Sequence, residues 1–325
     1  MNILLVGAGA VGQVLGHHFA RGGARVAFYV RPRHAEATRK GFTLAALGTR
    51  RAPERLEPAA VLTTMAEVAA ETWDAVVLCT SSTALRQGTW LAELGPAIGD
   101  ATLMAIQPGP EDRALVAAHV PAAHIVWAMF PLIAYVTDDV GGPPGQLAFW
   151  RPPLQKLPID GDRARALPLV ETLTRGGLPA RWSDQVARDL AFAGPLLNLH
   201  VVGMECAGWS FAALARDHEL LADVHAAAAE VRAAAEKRVG ARAPVPLRLV
   251  RPWMARIALR LAPRLMPLPA EDYFRVHFTK VGDQTTSHLA AYAAEATALG
   301  LPDAGLRRLM TRLAEVRRQE MRRSA

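Results

Sequence analysis

The chain has 325 residues, 51% of them hydrophobic, and a net charge of +7 from 37 basic and 30 acidic side chains. That length suggests about two domains of ~100–200 residues each, with ample apolar material for their cores. The basic residues are almost all arginine, the only lysines being Lys40, Lys156, Lys237 and Lys280. They are spread along the chain without a recognisable nucleic-acid module, so nucleic acid is excluded as a partner while anionic small molecules are favoured.

Asn2-Ile3-Leu4-Leu5-Val6 reads as a short buried strand, and Gln13 to Gly22 as a helix. Between them lies Gly7-Ala8-Gly9-Ala10-Val11-Gly12, a G-x-G-x-x-G in the strand-to-helix context its mechanism needs. Gly7 allows a tight turn, Gly9 lets a pyrophosphate approach the backbone, and Gly12 lets helix and strand pack closely. The free N–H groups and the positive end of the helix dipole then face the phosphates. Arg25 to Val30 is the second strand of this β-α-β unit. An Asp or Glu at its end would bind the ribose 2′-hydroxyl of NAD, whereas an Arg suits the 2′-phosphate of NADP. The chain has Arg31-Pro32-Arg33 there and no acid before Glu36, so NADP is expected, with Arg31 as its first contact.

Phe42-Thr43-Leu44 opens an irregular or hairpin segment running past Val61 to Thr64. Asp74 to Thr80 is a buried strand, and Ser81-Ser82-Thr83 caps the following helix. Ala101 to Ile106 is the next strand, and Gln107-Pro108-Gly109-Pro110 turns it into a helix near Glu111. His124 to Tyr135 is a further strand region, Phe149-Trp150 and Leu157-Pro158-Ile159 a late hairpin, and Arg163 to Arg175 a helix. Strands alternating with helices argue for a parallel, doubly wound sheet. After Trp182 the pattern is helical only: Gln185 to Phe211 with Pro195 as a kink, Leu220 to Val239, a basic and proline-interrupted stretch from 241 to 269, Glu271 to Leu299, and Asp303 to Arg322. The expected architecture is an α/β dinucleotide-binding domain over 1–180 and an all-α domain for substrate and dimerisation over 181–325. Cys79 and Cys206 fall in apolar runs and read as buried free thiols. The chain opens on a strand, with no signal peptide and no membrane span, which points to the cytoplasm.

This layout resembles the ketopantoate reductase family. The resemblance rests on Gly7 to Gly12, Arg31, Asp74 to Thr80, Ile106-Gln107-Pro108-Gly109 and Ala298 to Pro302, and so covers nearly the whole chain. It implies a Rossmann-like sheet followed by a 6-phosphogluconate-dehydrogenase-like helical domain, with NADPH reducing a 2-keto group. It also places Ser81 and Gln107 beside the cofactor. The family's acid is a lysine on the first long helix of the second domain, with an asparagine four residues on. Asn198 matches the asparagine, but Gly194 stands where the lysine would be. Pro108 replaces the asparagine of the family's turn. The family's substrate-binding glutamate aligns with Gln284, or with Thr286 if two residues are skipped, and its carboxylate-holding serine falls near Asp272. These departures imply a substrate other than ketopantoate, such as another ketone or an imine. The alternative is a non-redox cyclase, isomerase or NADP-sensing protein on the same fold.

A reductase needs a group that protonates the developing alkoxide. Gly194, Asn198 and Glu205 share a helix face, so Asn198 and Glu205 form one candidate polar pair, with a structural hydrogen bond as the competing role. Lys280, Asp283, Gln284 and Ser287 form an i, i+3, i+4, i+7 stripe, preceded by Tyr273 and His277. Lys280 or His277 is expected to be the acid, with Gln284 and Asn198 orienting the substrate. A solvated helix face explains the same stripe. A homodimer is expected by analogy alone.

Overall fold

The structure is a computed structural model. It describes residues 1–107, 110–280 and 282–324, apart from the side chains at 110, 284 and 324. It divides into two compact units, Met1–Ala187 and Arg188–Ala325.

The described residues of the first unit hold twelve strands: β1 (Asn2–Val6), β2 (Arg25–Tyr29), β3 (Phe42–Ala46), β4 (Glu54–Leu56), β5 (Ala60–Leu62), β6 (Ala75–Leu78), β7 (Thr102–Ala105), β8 (Ile125–Ala128), β9 (Ile133–Val136), β10 (Gln146–Trp150), β11 (Leu157–Gly161) and β12 (Ala180–Trp182). Eight of them make the main sheet, in the order β12-β11-β8-β7-β6-β1-β2-β5. From β5 to β8 every pairing is parallel. Only β11 runs antiparallel to its neighbour β8.

The apolar runs of β1, β6 and β7 are continuous because both faces of this sheet are covered. Ile3, Leu5, Val77 and Met104 pack on one face with Val14, Leu15, Leu169 and Leu173 from helices Ala10–Arg21 and Arg163–Arg175. Leu4, Val6, Val76 and Leu103 pack on the other with Leu91, Leu94 and Val116. Each such side chain contributes about 1.5–3 kcal/mol by leaving water.

A second sheet, ordered β4-β3-β10-β9, corrects two expectations. The expected late hairpin is absent: β10 pairs with β3 and β9, whereas β11 joins β8 in the main sheet. The region from His124 to Tyr135 likewise splits into β8 and β9, one in each sheet. Local alternation gave the strands but carried no information on which sheet each would join. Between this small sheet and the back half of helix Ala10–Arg21, His17 and His18 are buried. His18 Nδ1 is 2.9 Å from the Gly176 carbonyl, and burial pushes its pKa down to about 4.

The second unit is helical: Val186–Cys206 leads into it, followed by Phe211–Arg216, His218–Val239, Val245–Leu249, Pro252–Leu265, Ala270–Lys280, Gly282–Ala298 and Ala304–Ser324. Its core gathers Leu199, Val202, Leu214, Leu221, Val224, Leu289, Leu306 and Leu309. Acids fasten the last helix to it. Glu230 accepts from the backbone N–H groups of Gly305 and Leu306, and Asp223 accepts from Arg308 and Arg312 at 2.7 and 2.8 Å. The stretch expected to be helical from Glu271 to Leu299 is helical over Ala270–Lys280 and Gly282–Ala298.

Candidate functional site

The order of the main sheet reverses at β1. The chain moves outward from β1 to β2 and β5, then returns to lay β6 on the other side of β1. Ligands of open α/β sheets bind at such a switch point, beyond the carboxyl ends of the two strands. Here those ends carry Gly7 to Gly12 after β1 and Cys79-Thr80-Ser81 after β6.

The three glycines differ physically. Gly7 has φ +101°, a conformation that side chains disfavour, and its backbone passes so close to Cys79 that a Cβ would sit 3.1 Å from the Cys79 carbonyl oxygen. A Cβ on Gly12 would lie 2.2 Å from the Gly7 carbonyl oxygen, so the helix packs onto the turn only with glycine there. A Cβ on Gly9 meets no protein atom within 4 Å. The protein has no packing need for that glycine, and the space beside it suits an approaching phosphate. Gly9 is also the N-cap of helix Ala10–Arg21, and no side chain caps it. The first-turn N–H groups are thus left for an anion. Ala8, Ala10 and Val11 complete the turn, with Gln13 Nε2 donating to the Ala8 carbonyl at 2.9 Å.

Around this turn the other expected cofactor residues separate. Arg31 lies just past β2 as the N-cap of helix Pro32–Arg39 and is exposed. Among the described residues its guanidinium has no hydrogen-bond or ion-pair partner. Ser81 is the N-cap of Ser82–Leu85, its Oγ accepting from the Ala84 N–H at 3.2 Å. Gln107 is buried, and its amide is spent inside the protein. Its Nε2 donates to the carbonyls of Leu78 and Thr80 at 3.1 and 2.9 Å, and its Oε1 accepts from the Ile106 N–H. Gln107 thus ties β6 to β7 and has little left for a ligand. Pro108 and Gly109 lie outside the described residues.

Two residues went unnoticed in the sequence. The Thr80 hydroxyl is buried beside Gly7 with no hydrogen-bond partner, an orphan that a ligand group at the switch point would satisfy. Arg113, on the first turns of helix Pro110–Ala117, stacks over Trp127 at 4.5 Å and keeps one buried nitrogen unpartnered. No pattern in the sequence marks either of them.

In the second unit Asn198 is half-buried, and its Nδ2 lies 3.3 Å from His288 Nδ1. The Tyr292 ring stacks with that of His288 at 6.3 Å. Burial pushes the Tyr292 pKa up, with neighbouring Asn198 partly opposing it, so the phenol stays protonated at neutral pH. Gly194, one turn before Asn198, is exposed with open space where a Cβ would be.

The expected pairing of Asn198 with Glu205 does not form. Glu205 is buried and held by Arg317 through two bonds of 2.5 and 3.0 Å, while Arg317 Nη1 also reaches Thr286 Oγ1 at 2.8 Å. A carboxylate in helix Val186–Cys206 met by a guanidinium from the last helix is a structural tie. His277 stacks on Tyr273 at 5.3 Å, and burial together with nearby Lys280 lowers its pKa. Lys280 is exposed. The Gln284 side chain lies outside the described residues. His288 and Tyr292 were missed because they meet Asn198 from 90 and more residues away; their i, i+4 spacing was the one available signal. Among the described residues no group of three or more His, Cys, Asp or Glu is placed to hold a metal.

Residues 3–141 match the family model described as ketopantoate reductase PanE/ApbA. Among solved structures, a PanE/ApbA family ketopantoate reductase from Ralstonia eutropha JMP134 is 20% identical with a TM-score of 0.74, covering 99% of this chain and 100% of that one. A D-mandelate dehydrogenase solved with NADH and anilino(oxo)acetate is 16% identical with a TM-score of 0.71, covering 97% and 98%. A 2-dehydropantoate 2-reductase from Geobacter metallireducens GS-15 is 17% identical with a TM-score of 0.70, covering 97% and 99%. Identities this low speak for the fold alone. No curated protein matches the chain. Residues 3–141 are thus similar to the PanE/ApbA ketopantoate reductase family, and the fold of nearly the whole chain is that of solved structures bearing the family's name.

Proposed function

We propose that the protein is an NADPH-dependent reductase of a small keto compound other than ketopantoate, with a C=N substrate as the close variant. The observation that carries this reading is the glycine turn at the β1/β6 switch point, where Gly9 leaves open space in front of an uncapped helix. Gly7 to Gly12 would hold the pyrophosphate, the Thr80 hydroxyl would bond a neighbouring group, and Arg31 would hold the 2′-phosphate. The 2-keto acid class is supported by the neighbours whose names include 2-dehydropantoate and D-mandelate.

The cofactor, when bound, supplies a hydride to the carbonyl carbon. The charge that builds on the carbonyl oxygen needs a proton, which Tyr292 donates from its phenol. Asn198 holds that phenol and orients the substrate oxygen. His288, exposed and stacked on Tyr292, returns the proton from water. In this assignment Tyr292 replaces the lysine missing at Gly194. Lys280 and His277 are the second candidates for the acid, and Glu205 is structural.

The test is NADPH oxidation measured against a panel of 2-keto acids and cyclic imines. Turnover that collapses in Tyr292→Phe and survives in Lys280→Met supports Tyr292; the reverse pattern assigns the acid to Lys280. A cyclase, isomerase or NADP-sensing role is favoured by one observation, the bare Gly194. NADPH that binds tightly but is never oxidised across the panel selects that role.

A further inference from the structure

Residues 241–270 hold six arginines and no aspartate, glutamate or lysine. Among the described residues none of the six is paired with a carboxylate. The same stretch concentrates exposed apolar surface. Of the thirteen large hydrophobic side chains exposed among the described residues, eight lie between Val245 and Leu265. Scattered exposed hydrophobics are ordinary, but a contiguous patch rimmed by polar groups marks an interaction surface.

Helix Pro252–Leu265 organises the patch. Ala255 and Leu259 turn inward and, with Ala262, pack on the core of the second unit. At about 100° per residue, Met254, Ile257, Leu261 and Leu265 fall on a different face. They are 40–69% exposed. Arg256, Arg260 and Arg264 repeat every four residues along one border of this stripe. Trp253, 61% exposed, lies on the same border. The helix thus has one face for its own core, one apolar face without a partner, and a cationic edge with an aromatic side chain.

We propose that this helix docks the protein on an anionic lipid bilayer, lying in the plane of the headgroups. Met254, Ile257, Leu261 and Leu265 enter the acyl boundary, while Arg256, Arg260 and Arg264 meet lipid phosphates. An in-plane amphipathic helix has this make-up: an apolar face, a basic border and an interfacial aromatic. No described helix is long and apolar enough to cross a membrane, so the contact is peripheral. A two-fold interface sets one surface against its own copy, and residues 241–270 offer their six arginines no acid of their own to pair with. The proposal is independent of the reductase reading.

The test is flotation of the full chain with vesicles of phosphatidylcholine alone or mixed with phosphatidylglycerol, at low and at physiological salt. Binding is expected only with phosphatidylglycerol, weakening as salt rises and falling by about fivefold for each of Arg256, Arg260 and Arg264 changed to Gln. Ile257→Ser with Leu261→Ser alters exposed positions only and is expected to abolish flotation while the melting temperature holds. Equal binding to both vesicle types, or no binding to either, overturns the proposal. So does a dimer in sedimentation that the serine variant dissociates, or duplex DNA binding in place of vesicle binding.

Discussion

The two units treat their polar groups in opposite ways. At the glycine turn of the first, the backbone donors of an uncapped helix, the Thr80 hydroxyl and the Arg31 guanidinium have no partner among the described residues. In the second, acids are spent on the protein itself: buried Glu205 on Arg317, buried Asp223 on Arg308 and Arg312, half-buried Glu230 on the start of the last helix. A site that binds an anionic ligand must keep donors unspent, whereas a helical scaffold must satisfy every charge it buries. Asn198, His288 and Tyr292 are the exception in the second unit, a polar group without an ion pair among the described residues, joined by the Asn198–His288 contact and the His288–Tyr292 stack. That contrast is why they, and not Glu205, are assigned to chemistry.

The largest effect should fall on that exception. Tyr292→Phe is expected to lower kcat by about 10²–10⁴-fold, the usual worth of a general acid, while NADPH affinity is unchanged. A comparable loss of NADPH affinity would mean that Tyr292 binds rather than reacts. Glu205→Ala should cost roughly 3 kcal/mol of stability in urea unfolding, because it strands the Arg317 charge, yet leave turnover per folded molecule intact. His18 gives the first unit an acid sensitivity of similar size. Its folded pKa of about 4 lies below the ordinary 6.5, so the unfolded chain takes up the proton first. Stability should therefore be full above pH ~6.5, fall by on the order of 3 kcal/mol toward pH ~4, and level off below; His18→Leu should flatten that window. The smallest effects separate the glycines. Gly12→Ala should cost about 1–3 kcal/mol of stability through its contact with the Gly7 carbonyl. Gly9→Ala should leave stability unchanged and weaken NADPH about tenfold, since its Cβ would meet only the ligand.

The geometry of the first unit's glycine turn was legible because it is set by the backbone. Glycine spacing between a strand and a helix encodes the turn directly, and Arg31 follows from its place at a strand end. Sheet membership was less legible: β10 and β11 are close in sequence but belong to different sheets, a choice made by packing. In the second unit, the i, i+4, i+11 face grouped Asn198 with Glu205 correctly as helix geometry, but could not show that Arg317 reaches Glu205 from 112 residues away. Residues that converge from separate helices leave only weak local traces, such as the spacing of His288 and Tyr292.

The central claim is an unspent dinucleotide turn that selects NADPH through Arg31, and fluorescence titration of the purified protein with NADPH and NADH tests it most directly. The account predicts NADPH-selective binding, with Arg31→Ala weakening NADPH by about 10–100-fold, the value of a charge-assisted hydrogen bond, and leaving NADH unaffected. Equal affinity for both cofactors in the wild type, or no binding of either, would contradict it.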